Sequence, residues 1–168
     1  MKYHDNRTYA TNAIGITLDL RKLKFLVPEF FRLLISIKYW FTNGGRTVIA
    51  EHVQEHIQGG DSQRAIVVTI KPLIVAAYNE DIDCVVMLGY KKRVQRLFNF
   101  EVGTKLVCVN TFGSDREMQK DLIPGPKYSE TWNMVYPVIA EMVSSDFDKI
   151  KKRRKEIGTS GYAYVQTL

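Results

Sequence analysis

Three runs of branched apolar residues follow one another almost without a break: "RAIVVTI" (64–70), "LIVAAY" (73–78) and "CVVMLGY" (84–90). Side chains branched at Cβ crowd the turns of a helix and sit well on a pleated strand. The first run therefore reads as a buried strand closed by Pro72. The other two read as strands on either side of the polar turn "NEDID" (79–83), although runs this short also fit a buried helix. "TKLVCVNTF" (104–112) supplies a further strand. "NAIGITLDL" (12–20) alternates, with Ile14, Ile16, Leu18 and Leu20 on one face, and reads as another.

Helical patterns lie around these strands. "PEFFRLLISIKYWFTNGG" opens on Pro28, which suits a first helical turn, and stops at Gly44 and Gly45. "RTVIAEHVQEHIQ" follows and stops at Gly59 and Gly60, so the two form an N-terminal helical hairpin. "KKRVQRLF" (91–98) is a short helix or a loop. "SETWNMVYPVIAEMV" carries helical spacing through Trp132, Val135, Ile139 and Met142. "SSDFDKIKKRRKEIG" has capping residues at its start and Gly158 at its end, and reads as a last helix. "YAYVQTL" is a terminal strand or a frayed tail. Residues 113–130, with Pro-Gly-Pro at 124–126, form a long surface loop of the kind that often carries function.

At 168 residues, with 45% apolar and 25% charged, the chain fits one globular domain. The expected architecture is α+β over 1–168: a mostly antiparallel sheet of about four to five strands, an N-terminal helical hairpin and C-terminal helices. Residues 1–11 and 159–168 are expected to be mobile ends. The apolar run 25–41 contains Pro28, Glu29, Arg32 and Lys38, so it reads as an amphipathic helix rather than a span. The N-terminus lacks the apolar core of a signal peptide. The chain's two cysteines, Cys84 and Cys108, sit among apolar residues and read as reduced core thiols on neighbouring strands. Together these point to a cytoplasmic protein.

The stretch "EHVQEHIQGG" (51–60) places His52, Glu55 and His56 in the order H-x-x-E-H, which one class of zinc peptidases uses. Residues four apart share a helix face, as two imidazoles on one ion must. On a wheel His52 and His56 turn toward the apolar arc of Val48, Ile49, Val53 and Ile57. Glu55 would be the general base. A third ligand is needed, and His4 is poorly placed for it. Glu130 is the carboxylate candidate, with Asp115, Glu117 and Asp121 behind it. Beyond these residues nothing resembles such a peptidase, so zinc is a minor alternative and the expected cofactor set is empty.

The net charge of +6 has one source. Lys149, Lys151, Lys152, Arg153, Arg154 and Lys155 equal the whole excess of Lys and Arg over Asp and Glu. A polyanion surface would use Lys151, Lys152, Arg153, Arg154 and Lys155, with Lys91, Lys92 and Arg93 as a second patch. A solvated terminal helix is the simpler expectation. There is no Gly-rich phosphate loop, no G-x-S-x-G and no paired C-x-x-C. The resulting expectation is a soluble cytosolic protein that acts through a protein partner, without catalysis of its own. A nucleic-acid binder built on the basic helix is the first alternative, and a metal-dependent hydrolase built on 52–56 the second. No membrane span is expected.

Overall fold

The computed structural model describes residues 10–28, 48–113, 117–129 and 132–165. The three branched runs are strands: β1 (Asp61–Ile70), β2 (Leu73–Asn79) and β3 (Cys84–Tyr90) form an antiparallel meander. β4 (Lys105–Gly113) joins the free edge of β1, β5 (Leu122–Pro124) joins β3, and β6 (Met134–Ile139) joins β4. The sheet order is β5-β3-β2-β1-β4-β6, and every pair is antiparallel. The α+β expectation holds, with six strands rather than four to five. Five helices accompany the sheet among the described residues: α1 (Leu20–Leu26), α2 (Val48–Gly59), α3 (Lys92–Phe98), α4 (Ala140–Val143) and α5 (Phe147–Val165). Gly158, at φ 69°, breaks the regular dihedrals of α5.

Strand pleating sorts the core onto two faces. Leu106 and Cys108 of β4 pack with Ala65, Val67, Val75, Ala77 and Val94 of α3. Val107 and Val109, pointing the other way, pack with Ile16, Ile57 of α2 and Ile150 of α5. β1 is buried on both faces for most of its length.

The sheet also curls. The β1–β4 ladder runs on to Asp61↔Asn110, whereas the β1–β2 ladder stops at Ala65↔Ala77. Where β1 and β2 part, side chains of β4 meet the loose carbonyls. The Cys108 thiol lies 3.3 Å from the Arg64 carbonyl and 3.7 Å from that of Tyr78. The Asn110 amide donates to Tyr78 at 3.4 Å. Strands two places apart in the order thus touch.

Four expectations need correction. Residues 12–20 are not a strand: they make only the single bridges Ala13↔Asp61 and Leu18↔Ser144, Gly15 sits at a left-handed φ of 59° between them, and Leu20 already belongs to α1. The amides of Thr17 and Leu18 are taken by Asp146 Oδ2 at 2.8 Å and Gln54 Oε1 at 2.7 Å, so side chains replace a ladder. Asp19 then caps α1 by accepting from the amides of Arg21 and Lys22. Residues 134–139 are strand, not helix, because Pro137 removes a helical donor and clashes with the preceding turn. Cys84 and Cys108 are buried and free, but β2 and β1 lie between their strands. The end of the chain is helix through Val165, with Tyr162 and Val165 buried, rather than a strand or tail. The helix expected over 28–45, and with it half of the helical hairpin, lies outside the described residues.

Two adjacent glycines test the seat of α2. A Cβ at Gly60 would sit 2.7 Å from the carbonyl oxygens of Asn110 and His56 and from Val109 Cγ1, whereas one at Gly59 would meet nothing within 4 Å. Gly60→Ala is expected to cost about 1–3 kcal/mol by overpacking. Gly59→Ala should stay within about 0.5 kcal/mol of wild type. Urea denaturation of the two variants checks both.

Candidate functional site

α2 leans on β4 through Ile57, which is fully buried, and this brings His56 against the strand. Its Nε2 lies 2.9 Å from the Val109 carbonyl oxygen, and its Nδ1 lies 3.1 Å from Thr111 Oγ1. A carbonyl only accepts, so Nε2 carries the proton and donates. Nδ1 then offers its lone pair to the Thr111 hydroxyl. Burial lowers the pKa of His56 from its ordinary value. The Val109 carbonyl opposes that shift, and His52 one turn earlier adds to it. The ring is therefore a neutral brace between α2 and β4.

That geometry bears directly on the H-x-x-E-H stretch. A metal-bound imidazole must give one nitrogen's lone pair to the ion, and at His56 one nitrogen is protonated and the other engaged. His52 is half-buried and Glu55 is exposed on the far side of α2. Glu130 and Asp115 lie outside the described residues, and Glu117 and Asp121 are exposed. Among the described residues, no three His, Cys, Asp or Glu side chains come together as metal ligands.

The basic run divides by role. Arg153 is drawn inward: Nε donates to Ser62 Oγ and Nη2 to the Ser62 carbonyl, both at 2.8 Å. Nη2 of Arg154 reaches Glu141 Oε1 at 3.2 Å. Lys149 donates to the Gly15 carbonyl at 2.7 Å. Lys151, Lys152 and Lys155 are exposed. In α3, Arg93 donates to the Leu26 carbonyl at 2.9 Å, while Lys91 and Lys92 are exposed. α3 packs through Val94 on one face of the sheet, and α5 packs through Ile150 on the other. The two basic stretches thus lie on opposite faces of the sheet.

The long segment after β4 is where composition said least and the fold says most. It contains β5, and it is sewn to both ends of the sheet. Gln119 takes the Asn133 carbonyl with its own N–H at 3.0 Å. Its side-chain oxygen accepts from Val135 N–H at 2.9 Å, and its carbonyl accepts from Leu122 N–H at 3.1 Å. Gln119 therefore ties β5 to β6, the two outermost strands.

Farther on, Asp83 holds the segment from the β2–β3 turn. Its carboxylate accepts from Tyr78 OH at 2.7 Å, Tyr164 OH at 3.2 Å and the Lys127 amide at 2.7 Å. Its carbonyl accepts from Gly125 N–H at 2.7 Å. Burial pushes the Asp83 pKa up, but the tyrosine hydroxyls and the Lys127 amide outweigh it and leave the pKa below the usual carboxylate value. Only glycine fits at 125, because a Cβ there would lie 2.5 Å from Asp83 Oδ2. The turn, the segment and the C-terminal end of α5 meet on this one side chain. The sequence marked 79–83 only as an acidic turn. The signal for more was the pairing of an acidic turn with a later Pro-Gly-Pro.

Three large apolar side chains on these elements are exposed: Met118 beside Gln119, Ile123 of β5 and Tyr136 of β6, at 47%, 48% and 41%. The Tyr136 hydroxyl lies 3.4 Å from Met134 Sδ. No helix among the described residues is long and apolar enough to cross a membrane. No family model matches the chain, and neither a curated protein nor a solved structure matches it significantly.

The brace at His56 gives a pH signature. Its folded pKa lies below the unfolded value of 6.5. The stability it contributes is therefore full above that value and is lost as pH falls through the folded pKa. Wild type should lose more unfolding free energy between pH 7.5 and 5.5 than His56→Gln does. Chemical denaturation at both pH values measures the difference, and equal losses would remove the brace.

Proposed function

We propose that this protein works by binding a protein partner, through the surface that Gln119 organises at the seam of β5 and β6. The observation that carries the reading is the exposure of Met118, Ile123 and Tyr136 on or beside the two strands that Gln119 ties together. An apolar surface held in place in advance loses little ordering entropy on association. Exposed apolar groups gathered at one place mark interaction sites more often than scattered ones do. A partner offering a complementary apolar patch is the occupant that this chemistry suits.

The titratable groups support binding over chemistry. His56, Asp83, Glu141 and Arg153 each spend their hydrogen-bonding capacity inside the fold. The free buried thiols favour a reducing, cytosolic setting.

The exposed Lys151, Lys152 and Lys155 keep a polyanion as the second reading, and one experiment separates the two. Wild type and the triple variant Met118→Asp, Ile123→Asp, Tyr136→Asp are used as bait in native lysate at moderate salt. Wild type is expected to recover a stoichiometric protein that survives nuclease treatment. The variant, with an unchanged melting curve, should recover less than about a tenth of it, as the loss of hot-spot contacts implies. Recovery that the variant leaves intact, or that nuclease abolishes, overturns the first reading. The nuclease result would favour the second.

A further inference from the structure

Glu141 is a second carboxylate on which several elements converge. It sits on α4, just past the end of β6, with its side chain only 10% exposed. The last β4–β6 partners are Cys108↔Ile139. Beyond them the carboxylate takes over and accepts from the Val107 amide, at 3.2 Å through Oε1 and 3.1 Å through Oε2. Oε1 also receives Arg154 from α5 at 3.2 Å. α1 contributes Lys22, whose ammonium donates to the Glu141 carbonyl at 3.0 Å and to that of Ser144. Cys108 of β4 and Tyr162 of α5 also lie within electrostatic reach. Burial pushes both of these pKa values up, so they stay neutral.

The carboxylate thus faces two backbone N–H groups, its own and that of Val107, and the Arg154 guanidinium, with the Lys22 ammonium nearby. A proton on Oε1 would compete with Arg154 for the same oxygen. The Val107 amide keeps Oε2. Arg154 is the partner free to leave. Its docked position holds it by Nη2 while its Nε is buried without a partner. Its side chain is 39% exposed, so water is close at hand.

We propose that Glu141 and Arg154 form a proton-gated latch, in which Arg154 is docked while Glu141 is ionised and swings out to the α5 surface beside Lys151 when Oε1 is protonated. Burial raises the Glu141 pKa from 4.5 to about 6, with Val107, Arg154 and Lys22 holding it back. The changeover therefore falls just below neutrality. Release of Arg154 is distinct from unfolding. With its folded pKa raised, the contribution of Glu141 to global stability is full below the unfolded value and is lost as pH rises through about 6. Acid therefore frees the arginine without loosening the fold through this group.

The test is NMR on the full chain, following the Glu141 carboxyl carbon and the solvent exchange of the Arg154 Nε–H from pH 7.5 to 5. Both signals are expected to move with one midpoint, with Arg154 exchange, taken relative to that of a solvent-exposed arginine at the same pH, rising about fivefold, the factor a partly exposed ion pair supports. Arg153, held by Ser62, should not respond. Glu141→Gln should show the fast Arg154 exchange already at pH 7.5. Arg154→Ala should raise the Glu141 midpoint and serves as the second arm if the glutamine variant does not fold. A ratio of Arg154 exchange to that of an exposed arginine that stays constant with pH, or a Glu141 midpoint that Arg154→Ala leaves unchanged, would sink the latch.

Discussion

Everything in this fold hangs on β1 being held on both sides along its length but not to the same point. Its ladder with β4 continues to Asp61, four residues past the place where its ladder with β2 gives out. A flat sheet would keep the two ladders in step. Here β1 and β4 bend away together, and the carbonyls exposed by the bend must be met, because an orphaned buried polar group costs as much as several good contacts gain. Cys108 and Asn110 meet them from the concave side. The curl then brings the outer strands near enough for a single glutamine to join them. Without that bend, Gln119 would have nothing to bridge.

Most of the fold was legible because its strands obey simple rules. Branched runs separated by a proline or an acidic turn gave β1, β2, β3 and β4, and a Gly-Gly stop gave the end of α2. The misreadings share a cause. Residues 12–20 have the alternation of a strand, yet their amides pair with the side chains of Asp146 and Gln54, and periodicity cannot distinguish a ladder from such substitutes. In 132–143 the apolar spacing suited a helix over its whole length. Pro137 decided otherwise, and four residues of helix remain as α4. β5 is only three residues long, too short for any period to show.

The candidate site was legible in its residue types and opaque in its partners. Spacing correctly turned His56 inward, but only the fold could show the Val109 carbonyl and Thr111 hydroxyl waiting on β4, fifty-odd positions away. The basic run was visible as charge. That Arg153 and Arg154 would be spent on Ser62 and Glu141 was not, since neither partner lies in the same helix. Asp83 and Glu141 gave no motif at all. Their importance comes from convergence, with several elements meeting on one carboxylate, and convergence leaves no trace in local sequence.

The outer edge of β6 has a further consequence. Along an edge strand, alternate residues point their amides outward. The Val135 amide is already given to Gln119, and the next outward position, two residues on, is Pro137, which has no amide to give. The opposite edge is β5, three residues long and closed by Pro124. An exposed edge is ordinarily a template on which a second chain can add a strand. At Val135 and Pro137, and at Leu122 and Pro124, an added strand would meet donors that are taken or missing. The same residue that ties the outer strands together thus also occupies an outward amide on each of them, Val135 on β6 and Leu122 on β5.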